Sequence, residues 1–177
     1  MSQFRALNKP QLIDRLWSFF SLRIYKLKVS GVFLEYNAQL YRFTENITLS
    51  KDVYVKRNAT IGCANPHAKV LIGERTTLGF NSIIMASKCI SIGSDCMIAP
   101  NVYIVDSNHG TQSDQLFNTQ NNKVESVKIG DNVWIGSGVI ILPGVTICDN
   151  IVVGAGSVVT RSLIEPGTYY GTPAEKR

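Results

Sequence analysis

The sequence predicts an all-β solenoid preceded by a short helical segment, and three observations carry that reading. From Ile129 onward an aliphatic residue returns every six positions without a slip: Ile129, Ile135, Ile141, Ile147, Val153 and Val159. A second register keeps the same period through Val133, Val139, Val145, Ile151, the small Ser157 and Leu163. Upstream the same phase recurs in pieces: Leu49, Val55, Ile61; then Ile72, Leu78, Ile84; then Ile92, Ile98, Ile104. Neither a helix of period 3.6 nor a flat strand of period 2 sustains a period of six. Each hexad therefore reads as one short β-segment with an anchor pointing into a narrow interior. Stacked turns bury an aliphatic core that no single repeat closes alone.

Taken in order, residues 1–46 form an N-terminal helical cap or extension. Within it, residues 11–28 place Ile13, Leu16, Trp17, Phe20, Ile24 and Leu27 on one helical face, with Arg15, Arg23, Lys26 and Lys28 around it. The expectation is that the apolar face packs on the end of the solenoid. The alternative is a basic amphipathic surface making peripheral contact with a membrane or a partner. Residues 47–173 are the repeat domain. Seven anchors there are followed directly by glycine: Ile61, Ile72, Leu78, Ile92, Ile129, Ile135 and Val153. Glycine allows close backbone approaches that a Cβ would obstruct. A loop over residues 110–126, polar and rich in Gln and Asn, separates the two repeat blocks, and loops of that length in compact folds are usually functional or disordered. Residues 174–177 are a tail.

The 177 residues suit one domain, 45% apolar and 18% charged, which excludes wholesale disorder. The net charge of +5 is spread over scattered residues such as Lys51, Lys56, Arg57, Lys69 and Lys88. No dense basic run with interleaved aromatics appears, so nucleic acid is not an expected partner. Cys63, Cys89, Cys96 and Cys148 form no CxxC pair and sit among apolar β-type residues, where a free thiol acts as a small hydrophobe. With no secretory leader and no long apolar run, the expected location is the cytoplasm.

Two histidines occur. His67 lies in the corner Asn65-Pro66-His67-Ala68-Lys69 and reads as a loop residue. His109 closes the Ile104 hexad in Asp106-Ser107-Asn108-His109-Gly110, at the edge of a regular scaffold and before the long loop. An imidazole there is placed for general-base work, with Asp106 near enough in sequence to orient it.

The motifs Ile98-Ala99-Pro100-Asn101-Val102, Val127-Lys128-Ile129-Gly130-Asp131-Asn132-Val133-Trp134-Ile135-Gly136, Pro143-Gly144-Val145, Gly154-Ala155-Gly156-Ser157-Val158-Val159 and Gly171-Thr172-Pro173-Ala174 resemble those of the hexapeptide-repeat acyltransferases. Within that superfamily the chain is most similar to bacterial sugar O-acetyltransferases of the galactoside, maltose and capsule or lipopolysaccharide type. The resemblance implies a left-handed parallel β-helix, assembled as a homotrimer with active sites between neighbouring solenoids. It implies acetyl-CoA as co-substrate, no metal, a saccharide acceptor and His109 as general base. It places Trp134, Ser137, Ala155, Thr160 and Arg161 against CoA, and Asn81 with Asp106 at the acceptor. The chain has Gly79-Phe80-Asn81 where such enzymes often carry Asn-Phe-Asn. An N-acetyltransferase acting on a nucleotide-linked amino sugar is the second reading, and a non-catalytic β-helix scaffold the third. A carbonic anhydrase of this architecture would need three histidine ligands, and the chain has two.

Overall fold

The computed structural model describes residues 10–26 and 30–177; the expected helical positions Leu27 and Lys28 lie outside the described residues. Helix α1 (Leu12–Ile24) is followed by about six turns of a parallel β-solenoid. The first turn is β1 (Phe33–Leu34), β2 (Gln39–Tyr41) and β3 (Ile47–Leu49), and the second is β4 (Tyr54–Val55), β5 (Thr60–Cys63) and β6 (Lys69–Ile72). Next come β7 (Thr77–Leu78), β8 (Ile83–Ala86) and β9 (Cys89–Ile92). The fourth turn runs through β10 (Met97–Ile98) and β11 (Tyr103–Val105), leaves the solenoid through β12 (Ser107–Asn108) and β13 (Lys123–Val124), and resumes at β14 (Val127–Ile129). The fifth is β15 (Trp134–Ile135), β16 (Ile140–Ile141) and β17 (Thr146–Ile147). The last has β18 (Ile151–Val153) and β19 (Val158–Val159), its third side reduced to a bridge between Leu163 and Ile147.

Corresponding strands of successive turns make three flat sheets. Sheet A runs β1-β4-β7-β10-β15-β18, sheet B runs β2-β5-β8-β11-β16-β19, and sheet C runs β3-β6-β9-β14-β17. The hexad anchors sit in register: Val55 pairs with Leu34 and Leu78, Ile98 with Leu78 and Ile135, and Ile135 with Val153. All six anchors from Ile129 to Val159 are buried, as is the second register from Val133 to Leu163. Where that second register carries a hydroxyl, the hydroxyl is satisfied internally. Ser157 Oγ donates to the Gly154 carbonyl (2.7 Å) and accepts from the Gly171 amide (3.1 Å). Ser82 Oγ donates to the Ala99 carbonyl and accepts from the Val102 amide.

The glycines after the anchors serve close stacking. A Cβ on Gly79 would lie 2.6 Å from the Ala99 carbonyl oxygen and the Pro100 nitrogen of the next turn, and one on Gly93 would lie 2.5 Å from the Gly130 oxygen. The sharp corners use a different device. Between sheets A and B, Asn37, Asn58, Asn81 and Asn101 all adopt left-handed backbone with φ of 57–60°. Asparagine tolerates that region because its short amide bonds locally. Their side chains form a ladder, with Asn37 donating to Asn58 (2.9 Å), Asn58 to Asn81 (3.3 Å) and Asn81 to Asn101 (3.3 Å).

Three expectations change. The solenoid begins at β1, upstream of the boundary expected at residue 47; Leu34 and Leu40 keep the six-residue step, but a corner through Arg42 and Phe43, both with positive φ, delays the next anchor to Leu49. The stretch 174–177 is more than a tail, because β21 (Glu175–Lys176) pairs antiparallel with β20 (Gly167–Tyr170) at the edge of sheet A. Helix α1 caps the first turn, but with its faces reversed. Asp14, Ser18 and Ser21 are its buried residues, while Ile13, Leu16, Phe20 and Ile24 are exposed and Trp17 is half-buried. The reason is that the end of a parallel sheet presents backbone donors and acceptors. Ser18 Oγ accepts from the Leu34 amide (3.2 Å), Asp14 Oδ1 accepts from the Tyr36 amide (3.1 Å), and Trp17 Nε1 donates to the Ala38 carbonyl (3.2 Å). An open sheet edge needs polar partners, so the polar face turns inward.

Candidate active site

The corner from sheet B to sheet C at the fourth turn is where the repeat departs from its period. Asp106 follows β11 directly and is fully buried. Its Oδ1 accepts from the Ser87 amide (2.6 Å), and its Oδ2 accepts from the amides of Lys88 (2.8 Å) and Cys89 (2.7 Å). The sequence expectation that Asp106 orients His109 is therefore corrected: both carboxylate oxygens are spent on the corner of the preceding turn. That task fixes the backbone from which the chain leaves the solenoid.

Beyond Asp106, β12 pairs antiparallel with β13, Ser107 opposite Val124 and Asn108 opposite Lys123. His109 follows β12 at once and its side chain is exposed, with no hydrogen bond to any described residue. Its backbone is held on both sides. Gly110 is buried against Gln120, where a Cβ would meet Gln120 Oε1 at 2.6 Å. Gln120 in turn accepts from the Gln112 amide (2.9 Å) and donates to the carbonyls of Gln112 (2.9 Å) and Gln115 (3.1 Å). The loop is thus a built structure that carries exposed Leu116 and Phe117 on a 3-10 turn (Phe117–Thr119). These two apolar side chains were not singled out in the sequence, where they lie in a polar stretch with no periodicity.

The other expected residues fall into three places on one protomer. Trp134 is half-exposed on the outer face of sheet A, in register with Met97. Ser137 and Ala155 are exposed at the A–B corner, where Gly138 and Gly156 (φ 69° and 70°) replace the asparagines of the ladder. A Cβ at either glycine would have nothing within 4 Å, so the corner stands open beside the backbone of Ser137 and Ala155. Thr160 and Arg161 follow β19 at the B–C corner, with Arg161 paired to Glu175 at 3.2 Å. Asn81 belongs to the asparagine ladder at the A–B corner, the opposite end of sheet B from His109. The missing first asparagine of Asn-Phe-Asn has a physical cause, since position 79 has no room for a side chain.

Between the two corners the outer face of sheet B carries Ile83, Tyr103 and Ile140, mutually in register and all exposed. His67, by contrast, is exposed in a turn where Asn65 Oδ1 accepts its amide. Cys63 and Cys96 are buried in the core, and burial pushes both thiols up from the ordinary thiol range. Among the described residues no three His, Cys, Asp or Glu side chains come together as metal ligands.

Two family profiles match, "Bacterial transferase hexapeptide (six repeats)" over residues 126–161 and "Hexapeptide repeat of succinyl-transferase" over residues 69–105. Both profiles describe hexapeptide repeats, and the turns of the solenoid over those residues carry them. The chain is similar to the galactoside O-acetyltransferase of Escherichia coli K12, 40% identical over 96 residues that cover 54% of this chain and 47% of that one. It spans about half the length of the curated relatives it matches. Among solved structures it resembles a maltose O-acetyltransferase from Clostridium difficile 630, with TM-score 0.53, 28% identity, and coverage of 93% of this chain and 84% of that chain. AntD, an N-acyltransferase from Bacillus cereus solved with dTDP-4-amino-4,6-dideoxyglucose and coenzyme A, shares the fold at TM-score 0.76 and 22% identity, over 90% of this chain and 88% of that one.

Proposed function

We propose that this chain transfers an acetyl group from acetyl-CoA to a hydroxyl of a saccharide, with His109 as general base. The observation that carries the reading is the exposed imidazole on a backbone locked by the β12–β13 pair and by Gly110 against Gln120. A general base must be held in position yet reach substrate, and this corner provides both. The names of similar proteins support the chemistry, and the open corner at Gly138 and Gly156 gives a slender pantetheine arm room beside the amides of Ser137 and Ala155. Trp134, Thr160 and Arg161 complete the donor site, with Arg161 exchanging Glu175 for a phosphate of CoA.

In the proposed reaction the imidazole takes the proton of the acceptor hydroxyl as its oxygen attacks the thioester carbonyl. The tetrahedral intermediate collapses, the C–S bond breaks, and the imidazolium returns its proton to the departing thiolate. No thiol of the chain enters the step. The functional unit is a homotrimer: the apolar outer strip Ile83, Tyr103 and Ile140 of sheet B packs on a neighbour, and the groove beside it brings His109 near donor residues of the adjacent solenoid.

The test follows CoA release with acetyl-CoA and a panel of saccharide acceptors. Replacement His109→Ala is expected to lower kcat by ~10²–10⁴-fold, the scale of a lost general base, while donor binding measured by calorimetry is kept. Unchanged turnover in H109A overturns the assignment. Turnover confined to amino-sugar acceptors would replace the O-acetyl reading by N-acetylation, the chemistry named for AntD.

A further inference from the structure

The reversed helix leaves a surface that the proposed chemistry does not use. Helix α1 packs on β1, the terminal strand of sheet A, so it lies across the end of the solenoid. Its outward arc carries Leu12, Ile13, Leu16, Phe19, Phe20 and Ile24, all exposed, with Phe20 at 58% and Ile24 at 73%. Solenoid ends normally turn a polar face to water. Here Asp14, Ser18 and Ser21 turn inward together with Trp17, Leu22 and Tyr25, and the other apolar side chains face away from the protein. Packing along the outer face of sheet B, as proposed for the trimer, leaves the end of the solenoid uncovered.

The charges around this arc share one sign. Arg15, Arg23 and Lys26 are exposed, and the Arg23 guanidinium carbon lies 4.0 Å above the centre of the Phe19 ring. The single acid of the helix, Asp14, points inward and is paired with Arg57 at 2.7 Å. At 13 residues α1 is about 20 Å long, too short to span a bilayer but suited to lie in its surface. A helix with an apolar arc and cations within and beside it binds the interface of anionic lipid, burying aromatic and aliphatic side chains at headgroup depth.

We infer that α1 docks the end of the solenoid onto the surface of a bilayer containing anionic lipids. The catalytic corner, on the flank of the solenoid, would then act at the membrane face, on acceptors presented there. The inference stands on the helix alone, and its readout involves no turnover, so its failure and that of the acetyltransferase reading are separable.

The full chain is floated with vesicles of phosphatidylcholine and phosphatidylglycerol in equal parts, and with vesicles of phosphatidylcholine alone. Expected is binding to the anionic vesicles that weakens in high salt and weakens about tenfold or more in the Arg15→Glu/Arg23→Glu variant. A Leu16→Asp/Phe20→Asp variant, altered only at exposed positions, should lose binding while its circular dichroism stays that of the parent. Absence of binding to anionic vesicles overturns the inference. So does a doubled molecular mass that L16D/F20D abolishes, which would mean that a second copy covers the helix. Equal binding to both kinds of vesicle overturns the role of the arginines and lysine.

Discussion

Asp106 shows how a residue that looks chemical in sequence acts through structure. Three amides of the preceding turn, from Ser87, Lys88 and Cys89, point at its two oxygens, and the chain leaves the solenoid one residue later. Asp106→Ala would leave those donors without a partner, at about 1–3 kcal/mol for each one that water fails to reach. The expected outcome is a loss of about 3 kcal/mol or more in denaturant unfolding, together with faster amide exchange in residues 107–124. If D106A unfolds at the parent midpoint, the carboxylate is dispensable to the corner and regains its candidacy as a partner of His109. Activity alone would not separate these, since displacement of the corner would also displace the base.

Helix α1 is held to the solenoid by an electrostatic clasp beside the packing of Trp17, Leu22 and Tyr25 on the core. The hydrogen bonds from Arg57 hold the Asp14 carboxyl below the usual carboxylate range, aided by the amides of Tyr36 and Gln11 and opposed by burial. For an acid with a depressed folded pKa, stability is present above the unfolded value and is lost as pH falls through the folded one. Docking is therefore expected to hold at neutral pH and to weaken only in acid below the ordinary carboxylate range. Trp17, which donates to Ala38 and stands edge-on to Tyr36 at 5.3 Å, reports the contact once Trp134 is replaced by Phe. Its emission should shift to the red on acidification, and Asp14→Asn should show that shift already at neutral pH. A Trp17 emission indifferent to both changes would mean that the clasp does not hold the helix.

At the scale of the molecule, three short-stranded sheets enclose an aliphatic core, and the outer faces differ in character. Sheet B exposes Ile83, Tyr103 and Ile140 as a strip, whereas in the corresponding row of sheet C the exposed Leu71 stands between Thr48 and Ser91, with Lys128 beyond. The strip predicts self-association on sheet B. Light scattering of the full chain is expected to give three times the protomer mass of 19.5 kDa, and Tyr103→Glu with Ile140→Glu is expected to give the protomer mass. Carboxylates on that face would be desolvated against a neighbour without partners. A parent that is already monomeric and turns over acceptor would remove the trimer from the mechanism.

The sequence by itself determined the winding. Its six-residue period names every inward anchor from Leu49 to Val159, because a solenoid core is built from residues close in sequence and repeated in register. It also singled out His109, since an imidazole where the repeat breaks off stands apart from the pattern. What only the tertiary structure decided were contacts between parts without a common period. The first turn was hidden by the long corner at Arg42 and Phe43, whose left-handed backbone no repeat announces. Asp106 was assigned to its neighbour in sequence, while its partners lie one turn back in space. The amphipathic pattern of α1 was legible, but its direction was not. Which face of a helix turns inward depends on what it meets, and here the edge of a parallel sheet offers amides and a carbonyl that Asp14, Trp17 and Ser18 satisfy.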